Sequence, residues 1–219
     1  MGDFYIADSQ KWYPLGATRV RGGYHFATTA GASSCALVLY REGKTAPVQK
    51  ISFREEDKTG DVWNMTLTGG DFSGMEYAYE GDGKLLPDPY GASFRGREKW
   101  GALNQGKKPL RTPLIQEEFD WEGDRPLEIP YEDTVIYRLH VRGFTRHSSS
   151  GTAEHGTFSA VAEKIPYLKE LGVTAVELLP PTEFEEVILP EGAGKNPYVK
   201  AEPTGKINYW GYTGGGIFA

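Results

Sequence analysis

Over the first ninety positions, hydrophobic and polar residues form short runs separated by turn residues. Residues 23–27, 34–40 and 49–53 are three such runs, the second closed by Arg41-Glu42-Gly43. Residues 62–67 alternate with period two and stop at Gly69-Gly70. Residues 75–80 do the same and stop at the hairpin signal Gly81-Asp82-Gly83. Period two puts successive side chains on opposite faces of a pleated strand, and no helical spacing competes with it here. Short strands at this spacing predict a β-sandwich of roughly 90 residues, ended by Asp88-Pro89-Tyr90-Gly91. Residues 93–130 carry eight spaced glycines and prolines and read as a linker lying over a surface, with Phe119 and Trp121 as its pins.

The pattern changes at Asp133. Residues 134–141 are a β-branched, nearly continuous apolar run, as in a strand covered on both faces. After a polar loop, Thr157 offers an N-cap, and Phe158, Val161, Ala162, Ile165, Leu168 and Leu171 recur at helical spacing up to Gly172. Pro166 should kink this helix or divide off its first turns. Residues 173–180 form a second buried strand, and a long loop begins at Pro181. Strand, helix, strand predicts a βαβ unit and a parallel pair. Two parallel strands do not make a stable sheet, so the chain reads as a complete β domain followed by the opening of an α/β domain that stops mid-fold.

Composition narrows the function. Of 219 residues, 39% are hydrophobic and 13% aromatic, which is globular rather than disordered. A net charge of −6 argues against nucleic acid as a partner. Cys35 is the lone cysteine, so no internal disulfide or cysteine-based metal cluster forms, and its apolar surroundings predict a buried, inert thiol. Neither a leader-like start nor an apolar run near 18 residues is present, so no membrane partner is expected and a cytoplasmic protein is. Glu183, Glu185 and Glu186 read as a mobile charged loop, Glu177 as structural, and His140 and Arg142 as scaffold. His147 and His155 lack the carboxylate spacing of a metal site. Gly214-Gly215-Gly216 has no following Lys-Ser/Thr and reads as a flexible end. No metal or cofactor is implied.

Several segments resemble one family. Residues 137–145 (Tyr-Arg-Leu-His-Val-Arg-Gly-Phe-Thr) are similar to the first barrel strand of the pullulanase and isoamylase group, the α-1,6-debranching enzymes of the α-amylase superfamily. Residues 163–180 are similar to that group's first helix and second strand, and Asn208-Tyr209-Trp210-Gly211-Tyr212 to the motif after it. Pro14-Leu15-Gly16-Ala17, Gly60-Asp61-Val62-Trp63 and Asp88-Pro89-Tyr90-Gly91 resemble the group's N-terminal carbohydrate-binding-like module.

The resemblance implies a multidomain chain. An immunoglobulin-like β-sandwich of the isoamylase N-terminal type would span 1–105, and a linker 106–130. The first β/α unit of a truncated (β/α)8 TIM barrel would span 131–219. It also implies glycoside hydrolysis by a retaining pair of carboxylates, with glycogen, pullulan or limit dextrin as the α-glucan partner. No Gly-Phe-Arg-x-Asp segment occurs, so the catalytic carboxylates lie beyond this chain, which is expected to be inactive alone and to self-associate through its incomplete barrel. Tyr209 and Trp210 are the implied substrate-binding residues, Tyr209 stacking under the sugar at the cleavage point. Trp100 and Tyr79 are candidate further glucan contacts, whereas Trp63 reads as core. Glycogen-binding relatives of the module use two tryptophans and a lysine near residues 77–86, and here Ala78 and Leu85 occupy two of those places. A non-catalytic glucan-binding module and a branching transferase are the alternatives.

Overall fold

A computed structural model describes residues 4–7, 12–101, 110–115, 119–187, 206–212 and 214–216. The chain divides into two compact units. One comprises Met1–Glu118, Thr182–Asn208 and Thr213–Ala219, and the other Phe119–Pro181 with Tyr209–Tyr212.

The first unit is built from antiparallel strands: β1 (Phe4–Ala7), β2 (Gly16–Val20), β3 (Gly23–Thr28), β4 (Cys35–Arg41), β5 (Pro47–Ser52), β6 (Lys58–Thr59), β7 (Val62–Gly69), β8 (Met75–Gly81), β9 (Lys84–Leu86) and β10 (Thr112–Pro113). One sheet has the order β1-β7-β3-β2 with β6 on β7, and the other β10-β8-β4-β5 with β9 on β8. Every second residue of the long strands points between the sheets: Tyr24 and Phe26, Leu37 and Leu39, Trp63, Met65 and Leu67, Tyr77 and Tyr79. Phe26 meets Tyr77 edge to face across the gap at 5.2 Å. Each such buried side chain stabilises by about 1.5–3 kcal/mol relative to exposure.

The five sequence-predicted strands all form, within two residues of their expected bounds. β4 reads as continuously apolar because both its faces are covered. Val38 and Tyr40 turn outward with Ala78, and the Arg111 guanidinium lies 3.6 Å from the Tyr40 ring centre. Cys35 is buried, and desolvation pushes its thiol up to about 11, which keeps it unreactive at neutral pH. At the β8–β9 hairpin, Asp82 and Gly83 both have positive φ, 47° and 77°, as a two-residue type I′ turn requires. Asp82 also accepts hydrogen bonds from Ser33 Oγ (2.7 Å) and Ser34 N (3.1 Å), which hold its carboxyl below the usual range.

The linker expectation needs correction. Arg95 and Arg111 exchange backbone hydrogen bonds, Thr112 and Pro113 pair with Tyr77 and Glu76, and the pin is Leu114, which enters the core. Phe119 and Trp121 are 76% and 68% exposed and pack on each other at 4.9 Å, so within their own unit they hold nothing down.

The second unit contains β11 (Ile136–Leu139), α1 (Val141–Thr145), α2 (Phe158–Glu163), α3 (Ile165–Glu170) and β12 (Ala175–Leu178). β11 and β12 are parallel, with Ile136 opposite Ala175 and Leu139 opposite Leu178. The predicted helix is divided at Lys164. Thr157 caps α2 by accepting from Ala160 N, Pro166 lies in the first turn of α3, and Gly172 at φ 78° ends it.

Two expectations fail here. The run 134–141 is not a strand throughout, because His140 turns the chain and caps α1. Nor is it covered on both faces. Leu139 is buried, but Ile136, Tyr137 and Val176 are exposed, since a two-stranded sheet has too few neighbours to cover them. Arg138 and Glu177 pair across the strands at 3.3 Å with both side chains more than half exposed, a contact worth little but consistent with a structural Glu177.

Candidate functional site

In the second unit the strand-to-helix turn after β11 builds an aromatic corner. Extended backbone at His140 (φ −98°, ψ 120°) brings its side chain back over the first turn of α1, where Nδ1 accepts from Gly143 N at 2.9 Å. Its Nε2 lies 2.7 Å from the carbonyl oxygen of Tyr209. The imidazole and phenol rings are stacked, 4.4 Å apart and 11° from parallel. Trp210 stands edge-on to both, at 5.6 Å and 86° from His140 and 5.2 Å and 90° from Tyr209. Gly143 lies beneath the phenol: a Cβ there would overlap Tyr209 Oη. Tyr209 and Trp210 remain 40% and 53% exposed.

Such a corner offers a flat apolar face beside an indole wall. That surface can exclude water from the C–H side of a sugar ring while hydroxyls at its edge stay hydrated. His140 is the member that sequence reasoning assigned to the scaffold. Its partner lies 69 positions away, and nothing in the local pattern points to it.

The other candidates fall elsewhere. Tyr79 is 1% exposed, packed against Phe53 and Tyr77, with its hydroxyl pushed well above its ordinary range by burial and then by the Asp88 charge. A ring so enclosed presents no face to a glucan, because the inward side of β8 is the side it occupies. Trp63 is core, as expected. Trp100, in the first unit, is half-buried and meets Phe184 edge to face at 5.6 Å.

Glu183, Glu185 and Glu186 are tethered rather than mobile. Arg97 pairs with Glu185 at 2.6 Å and with Glu183 at 3.7 Å, and Glu186 accepts from Gly101 N at 2.5 Å. Gly214–Gly216, expected as a loose end, forms β14 and pairs with β13 (Glu183–Phe184). Burial pushes the Glu183 carboxyl up, with Arg97 opposing. Arg97→Ala removes the counter-charge of a half-buried carboxylate and should loosen this segment by about 2 kcal/mol. Amide exchange at residues 183–187 is expected to accelerate roughly 30-fold, with residues 23–81 unchanged. Equal acceleration in both regions would contradict a local tether.

A cavity of about 330 Å³ in the first unit is lined by Lys44, Glu76, Arg95, Glu98 and Arg111, and Glu76 pairs with Arg111 at 3.5 Å. No group of three or more metal-ligating side chains occurs among the described residues, and none of their helices is long and apolar enough to cross a membrane.

No family model matches the chain. Isoamylase 1, chloroplastic, of Arabidopsis thaliana is 35% identical, aligned over 99% of this chain and 30% of its own length. Glycogen debranching enzyme of Yersinia pseudotuberculosis is 33% identical over 91% of this chain and 32% of its own. Among solved structures, pullulanase from Paenibacillus barengoltzii in complex with maltohexaose and α-cyclodextrin covers 82% of this chain and 28% of its own, with 27% identity and a TM-score of 0.61.

Mostly β-sheet with few short helices, the architecture is that of the N-terminal part of a pullulanase. In sequence the chain's relatives are debranching enzymes of the isoamylase and pullulanase type, matched over their N-terminal portion. The chain spans about 30% of the length of the curated relatives it matches.

Proposed function

We propose that this chain is the N-terminal portion of an α-1,6-glucan debranching glycoside hydrolase and contributes an aromatic sugar-binding corner to it. Residues 1–105 are then an immunoglobulin-like module, 106–130 its linker, and 131–219 the opening of a (β/α)8 barrel. The observation that carries the reading is the Tyr209–Trp210 corner packed on His140, at the C-terminal end of the parallel strand β11, where barrel enzymes collect their binding loops. It is supported by relatives named as isoamylase and glycogen debranching enzyme and by a similar pullulanase bound to maltohexaose.

The exposed edges and faces of β11 and β12 are where the remaining barrel strands of the parent would pack. In this chain alone, a second copy is the occupant we infer. Cleavage would follow the retaining course. One carboxylate attacks the anomeric carbon while a second donates a proton to the departing C6 oxygen, and water then releases the glycosyl group, giving a free reducing end. Both carboxylates belong to the remainder of the parent. The part assigned here to Tyr209 is to seat the glucosyl ring.

The test is chain-length analysis of amylopectin and pullulan digested by the whole protein that carries this sequence. Free linear chains are expected; new branch points would make it a transferase. Tyr209→Ala should lower kcat/KM about tenfold to a hundredfold, the equivalent of roughly 1.4–2.7 kcal/mol of lost contact. An unchanged kcat/KM would remove Tyr209 from the site.

A further inference from the structure

We propose that His140 is the positioning residue for Tyr209: a neutral imidazole protonated on Nε2 that holds the tyrosine ring at a set height and tilt. The proposal rests on the reading of Tyr209 as a sugar contact, and its first test is independent of that reading.

The two polar contacts define the tautomer. Gly143 N can only donate, so Nδ1, 2.9 Å away, must accept and carries no proton. The Tyr209 carbonyl oxygen can only accept, so Nε2, 2.7 Å away, must donate. With both nitrogens engaged, the imidazole cannot turn over its ring plane without breaking the α1 cap and the carbonyl bond together. That rigid plane lies 11° from the phenol plane at 4.4 Å. Stack and hydrogen bond therefore act on one residue, the first fixing its side chain and the second its backbone.

Two further contacts close the arrangement. Gly143, whose N–H anchors the imidazole, leaves the space that Tyr209 Oη occupies, and a side chain there would push the phenol out. Trp210 is edge-on to both rings, so its indole takes its orientation from the same stack. Since the imidazole covers one face of Tyr209, a glucosyl ring is offered the other. His140 is then the floor under the platform and touches no sugar.

Long-range ¹⁵N–¹H correlation spectra of the intact 219-residue chain test the tautomer without any substitution. His140 is expected with a protonated Nε2 and an unprotonated Nδ1. The opposite tautomer, or rapid averaging of the two, would overturn the proposal. His140→Asn then keeps a short side-chain acceptor for Gly143 N but removes the ring and the carbonyl bond. In this chain the Tyr209 ring protons should shift as the imidazole ring current is lost, while signals of residues 23–81 stay in place.

In the whole parent enzyme, H140N should lower kcat/KM about tenfold. Combined with Tyr209→Ala it should cost no more than Tyr209→Ala alone, because both remove one element. If Tyr209→Ala proves silent while the tautomer and ring shift are as expected, the sugar reading fails and the positioning role stands. If Tyr209→Ala is costly and H140N leaves both the ring shift and kcat/KM unchanged, the positioning role is wrong.

Discussion

Replacing Gly23 by alanine should destabilise the first unit by roughly 3 kcal/mol or more, one of the two largest effects expected from a single substitution here. Gly23 opens β3 and pairs with Thr68 of β7, and its α-carbon lies so close to that strand that a Cβ would overlap the Leu67 carbonyl. The obstacle is backbone, which cannot rotate aside as a side-chain tip could. Relief requires β3 and β7 to separate where Tyr24, Phe26, Met65 and Leu67 fill the core, so ladder bonds and packing are lost together. Gly22 is the internal control. It has open space around it and a φ of 78°, so Gly22→Ala carries only conformational strain of about 1 kcal/mol. Urea midpoints followed by Trp63 fluorescence compare the two, and a Gly22 effect as large as that of Gly23 would contradict the steric reading.

Asp88→Ala is the second, at about 3–4 kcal/mol. Asp88 is fully buried, accepts from the Tyr77 hydroxyl and from Tyr90 N at 2.9 Å, and lies beside the Tyr79 hydroxyl, which makes no aligned hydrogen bond of its own. Removing the acceptor strands a buried hydroxyl and a backbone N–H, each costing about 1–3 kcal/mol. Asp88→Asn keeps an acceptor for Tyr77 and should cost less.

The pH dependence has a defined sign. Burial raises the Asp88 carboxyl above its ordinary value, with the hydrogen bonds from Tyr77 and Tyr90 opposing that rise. The native state therefore holds this proton more tightly than the unfolded chain. The stability tied to it is fully present below about pH 4 and is lost as pH rises through the raised value. Asp88→Asn should flatten that slope in denaturation midpoints measured between pH 4 and 7, and an unchanged slope would assign it to another group. Tyr77 and Tyr79 are raised well above 10, chiefly by burial, so alkali should unfold the unit once their ionisation is forced.

Much of this architecture was legible in the chain. The runs at 62–67 and 75–80 announced β7 and β8 because period two and the glycines that stop it are local properties. Thr157, Pro166 and Gly172 marked the start, division and end of the helical segment for the same reason. β2 escaped because it begins at Gly16, between Pro14 and Gly22, with weak alternation. α1 escaped because residues 141–145 are valine, arginine, glycine, phenylalanine and threonine. Nothing in their propensity favours a helix, and it is His140 that starts one.

The misplacement of Tyr79 has a different origin. Alternation divides β8 into two sets of side chains without saying which set is inside. That depends on the facing sheet, where Phe26 comes from another strand. Likewise Arg97 reaches Glu185 across 88 positions, and the three glutamates became a tethered segment only when the chain closed that loop.

The amino-acid pattern by itself determined five strands of the first unit and the parallel β/α unit that follows, since periodicity, capping and turn chemistry act within a few residues. Only the tertiary structure decided that Tyr79 is core, that Asp88 is sealed among tyrosines and that His140 underlies Tyr209. Each of these depends on which distant surfaces meet, and a pleated strand offers two faces between which its own sequence does not choose.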